Sequence, residues 1–451
     1  MKDVLLITID SLRADHVGCF GYDRDTTPVI DEFAADGHTF ERTFAHACST
    51  RPSFPSIMSS SHALMHGGFE MMTEGRTMVA EVFDDGGYQT AGFHSNLYLS
   101  ADFGYDRGFD FFYDSKTDPG TTARIRQFVK DRLDQDGLLY KLLASAFDTA
   151  ERTAGINVGS AYDTATEITD NALEWVETAD EGGPRFLWVH YMDVHHPYVP
   201  PAEYQREFRD DPISENRSIK LRRKMIEEPE NVTDSELEEI VDLYDAEIKY
   251  TDAEIGRLIE EVTEAWGEEP VTAITADHGE EFLDHGQFSH YTHFYDEVMQ
   301  VPLFLGGIEG SGRYDELVGL QDVPATLVDY AGLEVPDAFQ GWSVRPIVEG
   351  GDWPRTHVIG DWSDRQGENR FGYRDEEWKF VRRDSGEELY DLEADPDENR
   401  NVIDDHPEVA ERLGETIDDH VRAIDETGSD LVEVEMDEDV KARLRDLGYK
   451  E

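Results

Sequence analysis

Val4-Leu5-Leu6-Ile7-Thr8-Ile9-Asp10 is the stretch that decides the fold of this 451-residue chain. A short, unbroken apolar run is the pattern of a strand covered on both faces, as in a parallel sheet. It ends in an acidic residue, at the strand end where open α/β sheets place their ligands. The pattern returns along the chain. Residues 88–94 close on Ser95-Asn96, and residues 186–192 empty into Asp193-Val194-His195-His196-Pro197-Tyr198. Residues 271–276 deliver Asp277-His278-Gly279-Glu280-Glu281, and residues 38–45 and 301–305 read as further strands. Helical spacing fills the intervals: 28–36 closed by Gly37, 79–85 ended by Gly86-Gly87, a long amphipathic stretch over about 235–266, and 323–330 ended by Ala331-Gly332. Strands alternating with helices predict an α/β fold whose central, mostly parallel sheet is flanked by helices through right-handed crossovers.

The texture divides the chain. Residues 1–345 read as the α/β domain, with polar helical excursions over about 115–180 (Ile125, Phe128, Val129 and Leu133, then Ala165, Ile168, Ala172 and Trp175) and a charged one over 201–232. Residues 346–451 read as a small α+β subdomain, with short antiparallel strands at 378–383 and 388–392 followed by acidic helices.

Charge is the extreme feature: 100 acidic against 40 basic residues, a formal net of -60. No basic surface is left to neutralise phosphates, so nucleic acid is not the expected partner. The aromatic content of 11% and the recurring apolar runs exclude a disordered chain. Acidity spread along the whole sequence, with only ten lysines among the basic residues, suits a protein kept soluble in concentrated salt. Cys19 and Cys48 make no disulfide framework. The N-terminal apolar run is too short for a secretion signal, and no run of 18 apolar residues exists to span a membrane. The expected location is the cytoplasm; the oligomeric state is left open.

The chemistry gathers at Ala47-Cys48-Ser49-Thr50-Arg51-Pro52-Ser53. Proline favours the first turn of a helix, so a helix is expected from about Pro52 with Ser49, Thr50 and Arg51 at its mouth. Free N–H groups and the positive dipole end suit an anion there, and a hydroxyl is placed to attack a bound phosphoryl or sulfuryl group. Three strand ends carry metal-type side chains: Asp10, Asp193 with His195, and Asp277 with His278. On parallel strands all three lie along one sheet edge. Such oxygen and nitrogen donors suit a divalent cation such as Ca, Mg, Mn or Zn.

These motifs, with Ile9-Asp10-Ser11-Leu12-Arg13-Ala14-Asp15 at the start and Tyr295-Asp296-Glu297, Glu388-Leu389-Tyr390-Asp391-Leu392 and Asp395-Pro396 toward the end, give a chain that resembles the sulfatase family of the alkaline-phosphatase-like superfamily. The resemblance spans nearly the whole sequence in the family's order. It implies one divalent metal bound by Asp10, Asp277 and His278, with Thr50 at the nucleophile position, itself a metal ligand in that family. It places His195 on a histidine that contacts the substrate oxyanion or protonates the leaving group, and His285 and His290 among further polar contacts to substrate. Three departures stand out. Ser11 follows Asp10 where many members carry a second acid. Aligned on Pro52, the family's Cys/Ser-x-Pro-x-Arg pattern meets Thr50 and Phe54, which leaves Arg51 as a candidate substitute for the arginine. Ser95-Asn96 stands where a lysine and histidine are often found.

The expected function is metal-dependent hydrolysis of a sulfuric, phosphoric or phosphonic ester of a small molecule or glycan. Transfer of a phospho or sulfo group to a glycan or lipid-linked acceptor, and metal and anion binding without turnover, are the competing readings. The charge pattern carries its own prediction. Transfer from molar salt to dilute buffer is expected to cost structure or activity, followed by circular dichroism and turnover; full stability in dilute buffer would contradict the halophilic reading.

Overall fold

The computed structural model describes residues 1–115, 162–179, 182–290, 293–364 and 367–427. Its centre is an eight-stranded sheet in the order β4-β3-β5-β1-β6-β7-β2-β8. The strands are β1 (Val4–Ile9), β2 (His38–Phe44), β3 (Gln89–Phe93), β4 (Phe111–Tyr113), β5 (Arg185–Tyr191), β6 (Val271–Ala276), β7 (Gln300–Gly306) and β8 (Gly312–Gly319). β7 alone runs against its neighbours, antiparallel to both β6 and β2; the other described pairings are parallel. Seven strands therefore end on one edge. β1, β5 and β6 are buried along almost their whole length, as their unbroken apolar runs require.

The long helix Asp234–Trp266 opens on a capping box, Thr233 accepting the N–H of Glu236, and stops at Gly267 in the left-handed region (φ 78°). It packs against the helices Pro28–Asp36 and Ala165–Thr178. From this helix Asp252 accepts the N–H groups of Val29 and Ile30, both at 2.9 Å, and so caps the Pro28–Asp36 helix from outside. The charged stretch expected as an excursion over 201–232 forms two helices, Ala202–Phe208 and Glu215–Glu227; the second buries Leu221 and Met225. Of the other excursion, Ala165–Thr178 is an amphipathic helix with Ile168, Ala172, Leu173 and Val176 buried, while Ile125, Phe128, Val129 and Leu133 lie outside the described residues.

Beyond the main sheet, β9 (Val358–Ser363), β10 (Asn369–Arg374), β11 (Trp378–Arg383) and β12 (Gly386–Asp391) form an antiparallel sheet covered by the helix Pro407–Glu426. The apolar patterns at 378–383 and 388–392 announced β11 and β12. The sequence pattern misses four strands: β4 is only three residues long, β9 is interrupted by Gly360 and Asp361 although mostly buried, and the polar, half-exposed faces of β8 and β10 break the apolar run on which the strand reading depends. No described helix is long and apolar enough to cross a membrane.

Candidate active site

The parallel register of β1 and β6 pairs Ile9 with Ala276, so the next residues, Asp10 and Asp277, leave the sheet side by side. Their backbones extend the ladder one step further. The N–H of Asp277 donates to Ile9 O at 3.3 Å, and that of Asp10 to Tyr191 O at 2.9 Å. Both carboxylates are fully buried. β2 supplies the third arm through the loop that leads into the helix Thr50–Ser59. The expected start at about Pro52 is corrected: the helix begins at Thr50, and Pro52, with no N–H to lose, sits within its first turn. Ser49 holds the cap position without a side-chain capping bond.

That first turn is tied to the sheet at several points. Thr50 Oγ1 donates to Asp10 Oδ2 at 3.3 Å and lies 3.4 Å from His278 Nε2. Ser53 Oγ donates to Asp277 O at 2.6 Å. The ring of Phe54 packs edge-on against His190 and tilted over Trp188 of β5. His278 Nδ1 donates to Gly279 O at 2.8 Å, since a carbonyl only accepts. In the neutral ring its Nε2 then carries a lone pair, which faces Asp277 Oδ2 at 3.4 Å and Asp10 Oδ1 at 3.8 Å. Asp277 Oδ2 has no hydrogen-bond partner among the described residues. Acceptors thus converge where they are buried. Two unit charges about 4 Å apart repel by roughly 4 kcal/mol at an effective dielectric of about 20. Burial and then the charge of Asp10 push Asp277 well above the usual carboxylate range. Burial alone would also raise Asp10, but His195, His190 and His278 outweigh it and pull it low wherever those rings carry a proton. The donor set of two carboxylates, one imidazole and a hydroxyl fits a divalent cation.

The surrounding residues orient these donors. Ser11 stands in the left-handed region (φ 59°). Its N–H donates to Asp277 Oδ1 at 3.1 Å and its hydroxyl to Asp10 Oδ1 at 2.9 Å. Tyr244 of the long helix braces this turn, donating to Ser11 O at 2.7 Å and accepting Arg13 N–H at 2.9 Å. Asn96, just beyond β3, donates to Asp10 Oδ2 at 3.1 Å. Trp188 Nε1 donates to Thr8 Oγ1, and Thr8 meets His190 Nδ1, each at 3.0 Å. With Thr8 Oγ1 donating to Nδ1, the remaining N–H of His190 is on Nε2, which points at Asp10 Oδ2 from 3.5 Å and has no hydrogen-bond partner among the described residues.

A second arc of buried histidines lies alongside. The ring of His290 is centred 4.3 Å from that of His278 and 5.2 Å from that of His195. His290 Nδ1 meets Glu280 Oε1 at 3.1 Å, and Tyr198 OH donates to Glu280 Oε2 at the same distance. Burial raises Glu280 to about 7 and lowers His195 to about 4, the latter against the pull of Asp10. His195 Nδ1 donates to His196 O at 2.5 Å. Glu280 and Glu281, an acidic pair of the kind that ordinarily opens a solvated helix, are both buried and neither is helical.

Two of the expected substrate contacts are committed elsewhere. Arg51 pairs with Glu70 at 2.7 Å and lies over the rings of Tyr98 and Phe103. His285 pairs with Glu297 at 2.6 Å and stacks on Tyr295 at 3.6 Å. Neither has a described contact with the Asp10, Thr50, Asp277 and His278 cluster. Asp193, expected beside a metal, accepts the N–H of Ala165 at 3.0 Å and caps that helix. Asn96, His190 and Tyr244 were missed. Asn96 had the signal of a strand end, and His190 that of a lone imidazole inside an apolar strand; Tyr244 had none beyond its place on the long helix.

Comparison with known proteins matches the sulfatase family model over residues 2–333, and the C-terminal model of N-sulphoglucosamine sulphohydrolase over residues 284–423. An arylsulfatase of Clostridium perfringens is 25% identical, with 91% of this chain and 92% of that protein aligned. Among solved structures, the phosphonate monoester hydrolase of Agrobacterium radiobacter superposes with a TM-score of 0.71 at 21% identity, covering 94% of this chain and 96% of that one. A protein solved with its substrate D-glucosamine-2-N,6-O-disulfate superposes with a TM-score of 0.72 at 17% identity, covering 96% and 100%.

The His285–Glu297 pair makes the local stability pH-dependent. Burial would lower the imidazole, but the Glu297 carboxylate outweighs it and raises it to about 9. A raised value means the contribution is fully present below the unfolded value of about 6.5 and lost as pH rises through about 9. Melting temperature is expected to fall more steeply between these limits in the wild type than in His285→Gln. Equal slopes would remove the pair from the account.

Proposed function

The chain belongs to the sulfatase family, and from that premise we propose that it is a metal-dependent hydrolase of phosphoric, phosphonic or sulfuric esters with Thr50 as its nucleophile. The convergence of Asp10, Asp277, His278 Nε2 and Thr50 Oγ1 carries this reading. A divalent cation held by Asp10, Asp277 and His278 would neutralise their mutual repulsion and lower the pKa of the adjacent hydroxyl. Asp10 Oδ2 orients that hydroxyl toward the phosphorus or sulfur of the ester. The mouth of the Thr50 helix faces the negative charge that grows on the transferred group. Attack forms a bond from Thr50 Oγ1 to the central atom and breaks the bond to the leaving alcohol, which takes up a proton. Water then cleaves the threonyl ester, restoring the hydroxyl and releasing the acid.

His195 is the proposed proton donor, and its electrostatics set a condition. Held near 4 by burial, it is neutral at pH 7. An anionic ester beside it raises its proton affinity, so acid catalysis belongs to the substrate-bound state. His290 is the proposed contact to a substrate oxygen. Arg51 and His285, already paired with carboxylates, would reach a substrate only by giving up those partners.

Threonine favours phosphoryl over sulfuryl transfer, because a secondary alcohol cannot be oxidised to the aldehyde on which sulfatases proper depend. Cys48 supplies no substitute: it is buried, with its thiol pushed up to about 12 by burial. The halophilic reading and a glycan-linked substrate belong to the same proposal.

Turnover of chromogenic phosphate, phosphodiester, phosphonate and sulfate esters in high salt with several divalent metals is expected to be fastest on a phosphorus ester. Thr50→Ala should lower it by roughly 10⁴-fold with the fold intact; near-normal activity sinks the mechanism. An added alcohol acceptor separates hydrolysis from transfer in the same assay. Loss of His195 in His195→Ala should slow esters of alkyl alcohols by about 10²-fold or more and nitrophenyl esters far less. Equal losses on both would take proton donation away from His195.

A further inference from the structure

A second cluster of metal-type donors lies away from the active site. His62 follows the Thr50 helix, Asp361 stands in β9, and His420 lies on the Pro407–Glu426 helix. One donor atom from each falls within 4.8 Å of the other two. His420 Nε2 and Asp361 Oδ2 are 3.0 Å apart, and the rings of His62 and His420 are centred 4.3 Å apart, edge to face. Asp361 is fully buried and His420 nearly so.

The cluster is held in place by its surroundings. Ala63 N–H donates to Asp361 Oδ1 at 2.9 Å and Leu64 N–H to Oδ2 at 3.4 Å, which fixes the carboxylate as a second shell fixes a ligand. The loop bearing His62 is clamped by the buried Arg76, which donates to the carbonyls of His62, Ala63 and Gly68 at 3.0 to 3.1 Å. Of the two cations near the cluster, Arg355 is itself neutralised by Asp322, and Arg76 spends its N–H groups on the carbonyls of this loop. One feature is unexplained by packing alone. His62 Nδ1 is buried with no hydrogen-bond partner among the described residues, although an unpaired polar atom in such a place costs about 1–3 kcal/mol.

We propose that His62, Asp361 and His420 form a second divalent-cation site, selective for a borderline ion of the zinc type. Two imidazoles and one carboxylate are softer than the carboxylate-rich set at Asp10 and Asp277, so the two sites prefer different ions. Donors around tetrahedral zinc, bound at roughly 2.0–2.1 Å, stand about 3.4 Å apart; the His420–Asp361 pair at 3.0 Å would open slightly to that spacing, and donors up to 4.8 Å apart would close to it. Such an ion clips the end of the nucleophile helix to the C-terminal sheet and to the helix that covers it. Its effect is structural.

The test uses the full chain, stripped of metal and titrated with Zn²⁺ and with Co²⁺ as a spectroscopic probe. Asp277→Ala disables the first site, so any metal it retains reports the second. Asp277→Ala is expected to bind one equivalent of metal, to show the visible d–d absorption of cobalt with nitrogen ligands, and to melt at higher temperature with zinc. The double variants with His62→Gln and His420→Ala should lose that equivalent, the absorption and the zinc-dependent shift together. If His420→Ala fails to fold, His62→Gln decides alone, since His62 stands at the half-exposed edge. Retention of the bound equivalent and the absorption in Asp277→Ala with His62→Gln overturns the site. A wild type that binds metal only at His62 and His420 would instead overturn the metal dependence proposed for Asp10 and Asp277, so the two failures are distinguishable.

Discussion

The structure depends on a repulsion held in check. Asp10 and Asp277 leave adjacent parallel strands at the same level, with the lone pair of His278 turned toward both. Nothing in that geometry is favourable by itself in a buried setting. It persists because the ladder between β1 and β6 fixes the register and because each carboxylate is gripped by groups that cannot move independently. A slip of one residue would turn the aspartates to the opposite faces of the sheet. Ser11 is the most exacting of the supports: its left-handed backbone, a conformation that costs of order 1 kcal/mol for a residue with a Cβ, lets one residue donate to both carboxylates.

The sheet serves this pair asymmetrically. β1 and β6 deliver the carboxylates, β5 delivers His190 behind them, and β3 delivers Asn96 from the side. Thr50 arrives from β2, on the far side of the reversed strand β7. The Thr50 helix therefore spans the gap to Asp10 and Asp277, anchored by Ser53 on Asp277 O and by Phe54 on Trp188 and His190. Cys48, two residues before Thr50, is drawn into the apolar core instead.

What could be read in the sequence follows from which signals are local. β1, β5 and β6 were legible because burial on both faces leaves an apolar run with an abrupt polar end, and that same end marks Asp10, Asp277 and His278. The long helix was legible from its spacing. Residues whose role depends on distant partners were not. Tyr244 looks like any aromatic on a helix until the fold brings it to Ser11, and Arg51 looks like an anion contact until Glu70 is seen to hold it. Glu280 and Glu281 read as solvent-facing because most such pairs are; here Tyr198 and His290 meet the first, and the N–H groups of His285 and Gln287 meet the second. Half-exposed strands such as β8 and β10 escape any rule that seeks continuous apolarity.

The line of donors behind Asp10 has a direction. Trp188 gives to Thr8, Thr8 to His190, and His190 turns its remaining N–H toward the carboxylate. An indole holds its proton across the whole range of biological pH, so the series begins at a group that cannot relay anything onward. It works as an insulator rather than a wire. Whatever proton traffic accompanies turnover must pass on the other side of Asp10, where Thr50 and the histidine arc stand, and the core of the sheet is closed to it.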